Sequence, residues 1–69
     1  MILKGGKMAK FMREMKDEKQ KELAEKLEIS ASYVSELEGD NKKPSADLLR
    51  KWSQLVGFTM DVYFEGRKF

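Results

Sequence analysis

The spacing of apolar residues between positions 20 and 37 constrains this 69-residue chain more than any other feature. Leu23, Ala24 and Leu27 fall on one face of a helix over 20–27 by three-and-four spacing. Val34 and Leu37 do the same for a second helix over 31–38, and Ile29 plugs the corner between them. Ala24 has to be small, because the second helix crosses the first there at a steep angle and a longer side chain would push it away. The polar run Ser30-Ala31-Ser32-Tyr33 opens the second helix. Two helices fixed at such a corner expose the start of the second as a ridge that fits a DNA major groove. A pair of ordinary amphipathic helices would not require all of these features together.

Composition narrows the alternatives. A chain of this length makes one domain, 1–69, with a small core, and dimerisation would help to stabilise it. It has no cysteine and no histidine. That removes a disulfide frame and a thiolate metal site, together with the commonest metal ligand and general base. The 12 acidic residues sit mostly at helix-surface spacings, and no glycine-rich phosphate loop is present. We therefore expect no enzyme, no metal and no cofactor. No stretch approaches the roughly 18 apolar residues of a membrane span, and positions 1–6 are too short for a signal peptide, so the expectation is a cytoplasmic protein without membrane association. Net charge is +2, from 14 basic against 12 acidic residues, and its distribution matters more than its sum. Lys4, Lys7, Lys10, Arg13, Lys16, Lys19 and Lys21 crowd the first third, and Lys42 and Lys43 stand together in a predicted loop.

Three further segments complete the chain. Met8, Phe11, Met12 and Met15 recur at helical spacing and predict a helix over 7–16 with that face in the core. Asp17 is placed to cap the helix that follows. Gly39, Asp40 and Asn41 all tolerate left-handed backbone and predict a turn, and Pro44 restricts Lys43 to extended geometry. Ser45 caps a helix over 46–56 whose inner face holds Leu48, Leu49, Trp52, Leu55 and Val56, with Trp52 as anchor, and Gly57 ends it. Phe58, Met60, Val62 and Phe64 then alternate with polar residues, which predicts a strand over 58–65. A lone strand leaves its backbone unpaired. Positions 1–4 offer one partner, and the same strand of a second copy offers a simpler one. The expected fold is mainly α: four helices and a C-terminal strand that forms an intersubunit sheet in a homodimer, with Phe58, Met60, Val62 and Phe64 at the interface.

Between 6 and 57 the chain resembles the Xre/Cro-type phage-repressor family of helix-turn-helix regulators. The resemblance rests on Gly6, Arg13, the run from Gln20 to Leu27, Ile29-Ser30, Tyr33-Val34-Ser35, Leu37-Glu38, Pro44-Ser45, Leu49 and Gly57. Members usually carry a fifth helix, and the strand expected in its place resembles antitoxin-type repressors. Three positions depart from the pattern. Glu28 stands where glycine is usual and would cost about 1 kcal/mol if its backbone is left-handed. Lys19 stands where a Ser or Thr cap is usual, and Glu18 where an apolar residue packs, which predicts a looser junction between the first two helices.

The resemblance implies a DNA-binding transcriptional regulator, a repressor that meets an inverted-repeat operator on double-stranded DNA as a homodimer. Gln20 would span phosphate and the recognition helix, and Ala31, Ser32, Tyr33 and Ser35 would face the groove. Serine hydroxyls specify bases weakly. Tyr33 could stack, meet a thymine methyl, reach a phosphate or lie partly buried against the turn. Glu36 could accept from cytosine N4 or simply be repelled by phosphate. Lys42, Lys43 and the helix start at Ser45 suit phosphate. The alternative is an antitoxin that binds a toxin protein and autoregulates its operon.

Overall fold

The computed structural model describes residues 5–65, Glu65 by its backbone alone. Five helices follow one another: α1 (Gly5–Met15), α2 (Gln20–Leu27), α3 (Ala31–Glu38), α4 (Ala46–Val56) and α5 (Met60–Glu65). Among the described residues there is no strand. Leu23, Ala24, Leu27, Val34 and Leu37 are all buried where α2 meets α3, and Ile29 packs against the same core.

The strand expected over 58–65 is corrected: Met60–Glu65 is helical. An alternating sequence also repeats every fourth residue, so Met60 and Phe64 share one helical face as readily as one strand face. Local signals then favour the helix. Gly57 closes α4 in left-handed backbone, at φ 99°. Thr59 Oγ1 accepts from the Val62 N–H at 3.2 Å, and Asp61 sits in the first turn. A helix closes its own backbone hydrogen bonds, so the segment needs no strand from a second chain. The other partner strand considered, positions 1–4, lies outside the described residues. Phe58 and Tyr63 turn inward instead and stack at 5.8 Å. Both meet the fully buried Trp52 edge-on, with ring centroids 5.0 and 5.7 Å away. Trp52 thus anchors α4 to Phe58 and α5 through aromatic contacts.

Two inner faces also differ from the apolar pattern. In α1 the buried residues are Gly5, Gly6, Ala9 and Arg13; Met8 and Met12 pack at the edge, while Phe11 is 46% and Met15 71% exposed. Small residues win because α1 lies almost on the backbone of α3: a Cβ at Gly6 would stand 2.2 Å from the Leu37 carbonyl oxygen. In α4, Ser53 is buried, with its hydroxyl donating to the Arg50 carbonyl at 2.8 Å, and Leu55 is 37% exposed.

Helices α1, α2 and α3 end in the same way. After each, one residue takes left-handed backbone and the next N–H reaches back five residues. Asp17 (φ 57°), Glu28 (φ 59°) and Asp40 (φ 60°) are the left-handed residues. The long bonds are Glu18 N–H to Arg13 O at 3.2 Å, Ile29 N–H to Ala24 O at 3.0 Å and Asn41 N–H to Glu36 O at 2.9 Å. These are Schellman closures, which usually place glycine at the left-handed position. Asp17 therefore ends α1 and does not cap α2. At the start of α2 the Lys19 side chain has no acceptor to offer, and its own N–H donates to Glu22 Oε1 at 3.0 Å, half of a capping box. Gly39 has φ −86°, so Asp40 is the left-handed member of the turn after α3.

Candidate nucleic-acid interface

Helix α3 is held at both ends. Ser30 Oγ accepts from the Tyr33 N–H at 3.0 Å and fixes its start. At its other end Glu38 is 2% exposed, yet its carboxylate is well satisfied. Oε2 accepts from Arg13 Nε at 2.7 Å, and Oε1 accepts from Arg13 Nη2 at 3.2 Å and from Gln20 Nε2 at 2.9 Å. The charge on Glu38 thus meets a two-point guanidinium contact and an amide, which is what burial of an ion pair requires. Arg13 Nη1 also donates to the Glu18 carbonyl. One side chain of α1 therefore ties the α1–α2 junction to the end of α3, so the junction expected to be loose at Glu18 is clamped by polar contacts. The Glu18 carboxylate pairs outward with Lys26. That hydrogen bond, followed by the charge of Glu18, raises the pKa of Lys26 above its ordinary value.

Between these fixed ends the exposed face of α3 carries Ala31, Ser32, Ser35 and Glu36. Three of the four are short, so the face has low relief and can approach a flat or grooved partner closely. Tyr33 is half-buried and packs against the core. Gln20 is half-buried, with its amide nitrogen committed to Glu38, and it shares a notch of about 300 Å³ with Ser35 and Asn41. Lys42 and Lys43 are exposed in the loop that follows, and Ser45 Oγ accepts from the Leu48 N–H at 3.2 Å as the cap of α4. The structure thus brings Gln20 together with Ser35 and sets Lys42, Lys43 and Ser45 on one short loop.

The four residues expected at a dimer interface do not share a surface. Phe58 is 6% exposed in the core. Val62 lies beside Met8 and Met12. Met60 and Phe64 line an apolar groove of about 390 Å³ with Pro44 and Leu49, and Lys43 and Arg50 stand around it.

The Arg13–Glu38–Gln20 network is the part of the site that sequence reasoning did not assemble. Its trace was present, since Arg13 and Ala9 are four apart on α1, but the stronger methionine signal pointed to another face. The Ser30 cap was not singled out either, although a serine that opens the polar run, three residues before the N–H it accepts from, is its sequence signal.

Among the described residues no three His, Cys, Asp or Glu side chains are placed to hold a metal ion. No described helix is long and apolar enough to cross a membrane. A family model described as a helix-turn-helix domain matches residues 6–67. Comparison with curated proteins and with solved structures returns no match.

Proposed function

The chain belongs to this helix-turn-helix domain family, and on that premise we propose that it is a sequence-specific DNA-binding transcriptional regulator of Xre/Cro type, a repressor acting as a homodimer on an inverted-repeat operator. The observation that carries the reading is the exposed, low-relief face of α3, fixed by the Ser30 cap at one end and by Arg13, Glu38 and Gln20 at the other. In a major groove, the Ser32 and Ser35 hydroxyls donate to or accept from base edges, and the Ala31 methyl meets a thymine methyl. Lys42, Lys43 and the start of α4 at Ser45 hold backbone phosphate, which sets register without reading sequence.

The second copy docks on α5 by packing of helices, without strand pairing. Its contact surface is the apolar groove that Met60 and Phe64 line with Pro44 and Leu49, beside Arg50. A two-fold axis there makes the contact reciprocal and gives two equal recognition helices, which meet half-sites roughly 34–36 Å apart.

A gel-shift series tests the reading. Lys42→Ala with Lys43→Ala weakens binding to all sequences alike. Ser32→Ala or Ser35→Ala changes the preferred sequence, by roughly 1–3 kcal/mol for a lost base contact. Unchanged affinity and preference in both series would place the interface elsewhere.

A second reading keeps this DNA face and adds a toxin protein as partner, which makes the chain an antitoxin. The observation in its favour is the apolar stripe on α1, where Phe11 and Met15 stand exposed beside Met8 and Met12.

A further inference from the structure

The groove between α4 and α5 joins an apolar floor to a cationic rim. Ala46, Leu49 and Arg50 fall on one face of α4 by three-and-four spacing, and Met60 and Phe64, four apart, line the groove from α5. Its volume of about 390 Å³ lies within the range of small-molecule sites, roughly 300–1,000 Å³. Leu49 is buried while Phe64 is exposed, so the apolar surface opens to solvent.

The charged residues of the lining are Lys43 and Arg50, both exposed, and no acid lines the groove with them. Arg50 makes no ion pair among the described residues, although Asp47 stands three residues before it on α4 and Asp61 follows Met60 on α5. A guanidinium presents its donors as a planar fork that takes both oxygens of a carboxylate. Beside it, the apolar floor favours a ligand whose other end is hydrocarbon. A second copy docked here does not answer the charge of Arg50, because a two-fold contact presents the same lining, with the same cations, to itself.

We propose that this groove binds a small amphiphilic carboxylate, an alkyl chain of medium length. Arg50 holds both oxygens, Lys43 adds positive charge at the rim, and the chain lies against Leu49, Met60 and Phe64. Ligand and second copy need the same apolar surface, so binding opens the dimer and lowers operator affinity. That regulation rests on the dimer reading above; the binding itself does not. Lys43 belongs both to the groove and to the loop assigned to phosphate, so a bound carboxylate also draws on charge that DNA would use.

The full chain is titrated calorimetrically with hexanoate, octanoate and decanoate, each below its micelle-forming concentration. Each added methylene should tighten binding by up to about fourfold. Methyl octanoate and octylammonium delete or reverse the charge and should bind about tenfold more weakly or worse. Arg50→Gln should weaken octanoate about tenfold. Ala46→Glu keeps Arg50 but supplies a carboxylate four residues before it on the same helix face, and should weaken octanoate as well. Lys51→Gln removes a cation of α4 outside the groove and should bind as the wild type does. NMR shifts should move at Leu49, Met60 and Phe64. Absent binding, equal binding of acid and ester, indifference to both groove variants, or shifts confined to Phe11 and Met15 on α1 would overturn the site. Sedimentation with octanoate and with its methyl ester then reads the regulation, and only the acid should turn dimer into monomer. A dimer that persists at saturating octanoate overturns the regulation and leaves the site standing. A chain that is monomeric without ligand overturns the dimer reading and the regulation with it, while the titration still decides the site.

Discussion

Glu28→Gly should make the protein more stable. Glu28 closes the turn between α2 and α3 with φ 59° and ψ 40°. An L-residue there holds its Cβ against the following carbonyl, at a cost of roughly 1–2 kcal/mol. Glycine removes that cost but gains freedom in the unfolded chain, which returns about 0.4–1 kcal/mol. The Glu28 side chain is exposed, so its removal forfeits little packing. The net gain is about 0.5–1 kcal/mol, and for a domain this small about 1 kcal/mol moves the melting temperature by roughly 4–8 °C.

Asp40→Gly makes the control. Asp40 has the same left-handed backbone, at φ 60°, but its carboxylate accepts from the Gly6 N–H at the start of α1. Loss of a helix cap costs about 0.5–2 kcal/mol, which cancels or exceeds the relief. Asp40→Asn keeps an acceptor and tolerates left-handed backbone, so it should stay near wild type. Thermal and urea unfolding followed by far-UV circular dichroism reads all three variants. A Glu28→Gly protein that melts at or below the wild-type temperature would refute the strain assigned to that turn. An Asp40→Gly protein stabilised as much as Glu28→Gly would refute the capping role of Asp40.

Three other outcomes follow from the packing. Gly6→Ala gains about 1 kcal/mol of helix propensity, but its methyl would stand 2.2 Å from a backbone carbonyl oxygen; overpacking of up to about 3 kcal/mol wins, read as a lower urea midpoint. Glu38→Gln keeps volume and leaves the Arg13 guanidinium buried without its counter-charge, so it should cost about 3–5 kcal/mol in the same unfolding experiment, with DNA binding lost as α3 comes loose. Phe64→Asp sits 46% exposed at the groove, so it should spare the fold and abolish the dimer in sedimentation; a variant that sediments as the wild type does places the dimer contact elsewhere.

The mainly helical class and the helix-turn-helix were legible in the sequence because they rest on local periodicity. The spacing of Leu23, Ala24, Leu27, Val34 and Leu37 repeats with the turn of a helix, and all five are buried. Periodicity was misleading where it met a tertiary requirement. In α1 the methionines and Phe11 mark an apolar stripe, but close approach to α3 selects Gly6 and Ala9 for the interface, and the stripe is left partly exposed. At 58–65 alternation is compatible with two structures, and Gly57 and Thr59 favour the helix. The period of a pattern says which residues share a face; the residues just before it say which kind of element presents that face.

The site shows the same division. Ala31, Ser32 and Ser35 can be assigned to an exposed face from spacing alone. The Arg13–Glu38 pair cannot, because its partners are 25 residues apart and each would pass alone for a surface charge. Their burial follows from the closure of α1 at Asp17. That closure turns the Glu18 carbonyl toward Arg13 Nη1, and Nε and Nη2 are directed at Glu38. The turn after α3 repeats the device, since left-handed backbone at Asp40 brings its carboxylate to the first turn of α1. At the second closure it is the left-handed residue itself, Asp40, that links two helices which backbone hydrogen bonds do not join. Replacing Asp40 by glycine would relax the turn and loosen α1 from α3 together, whereas Glu28, which makes no such link, can be relaxed without loosening α3.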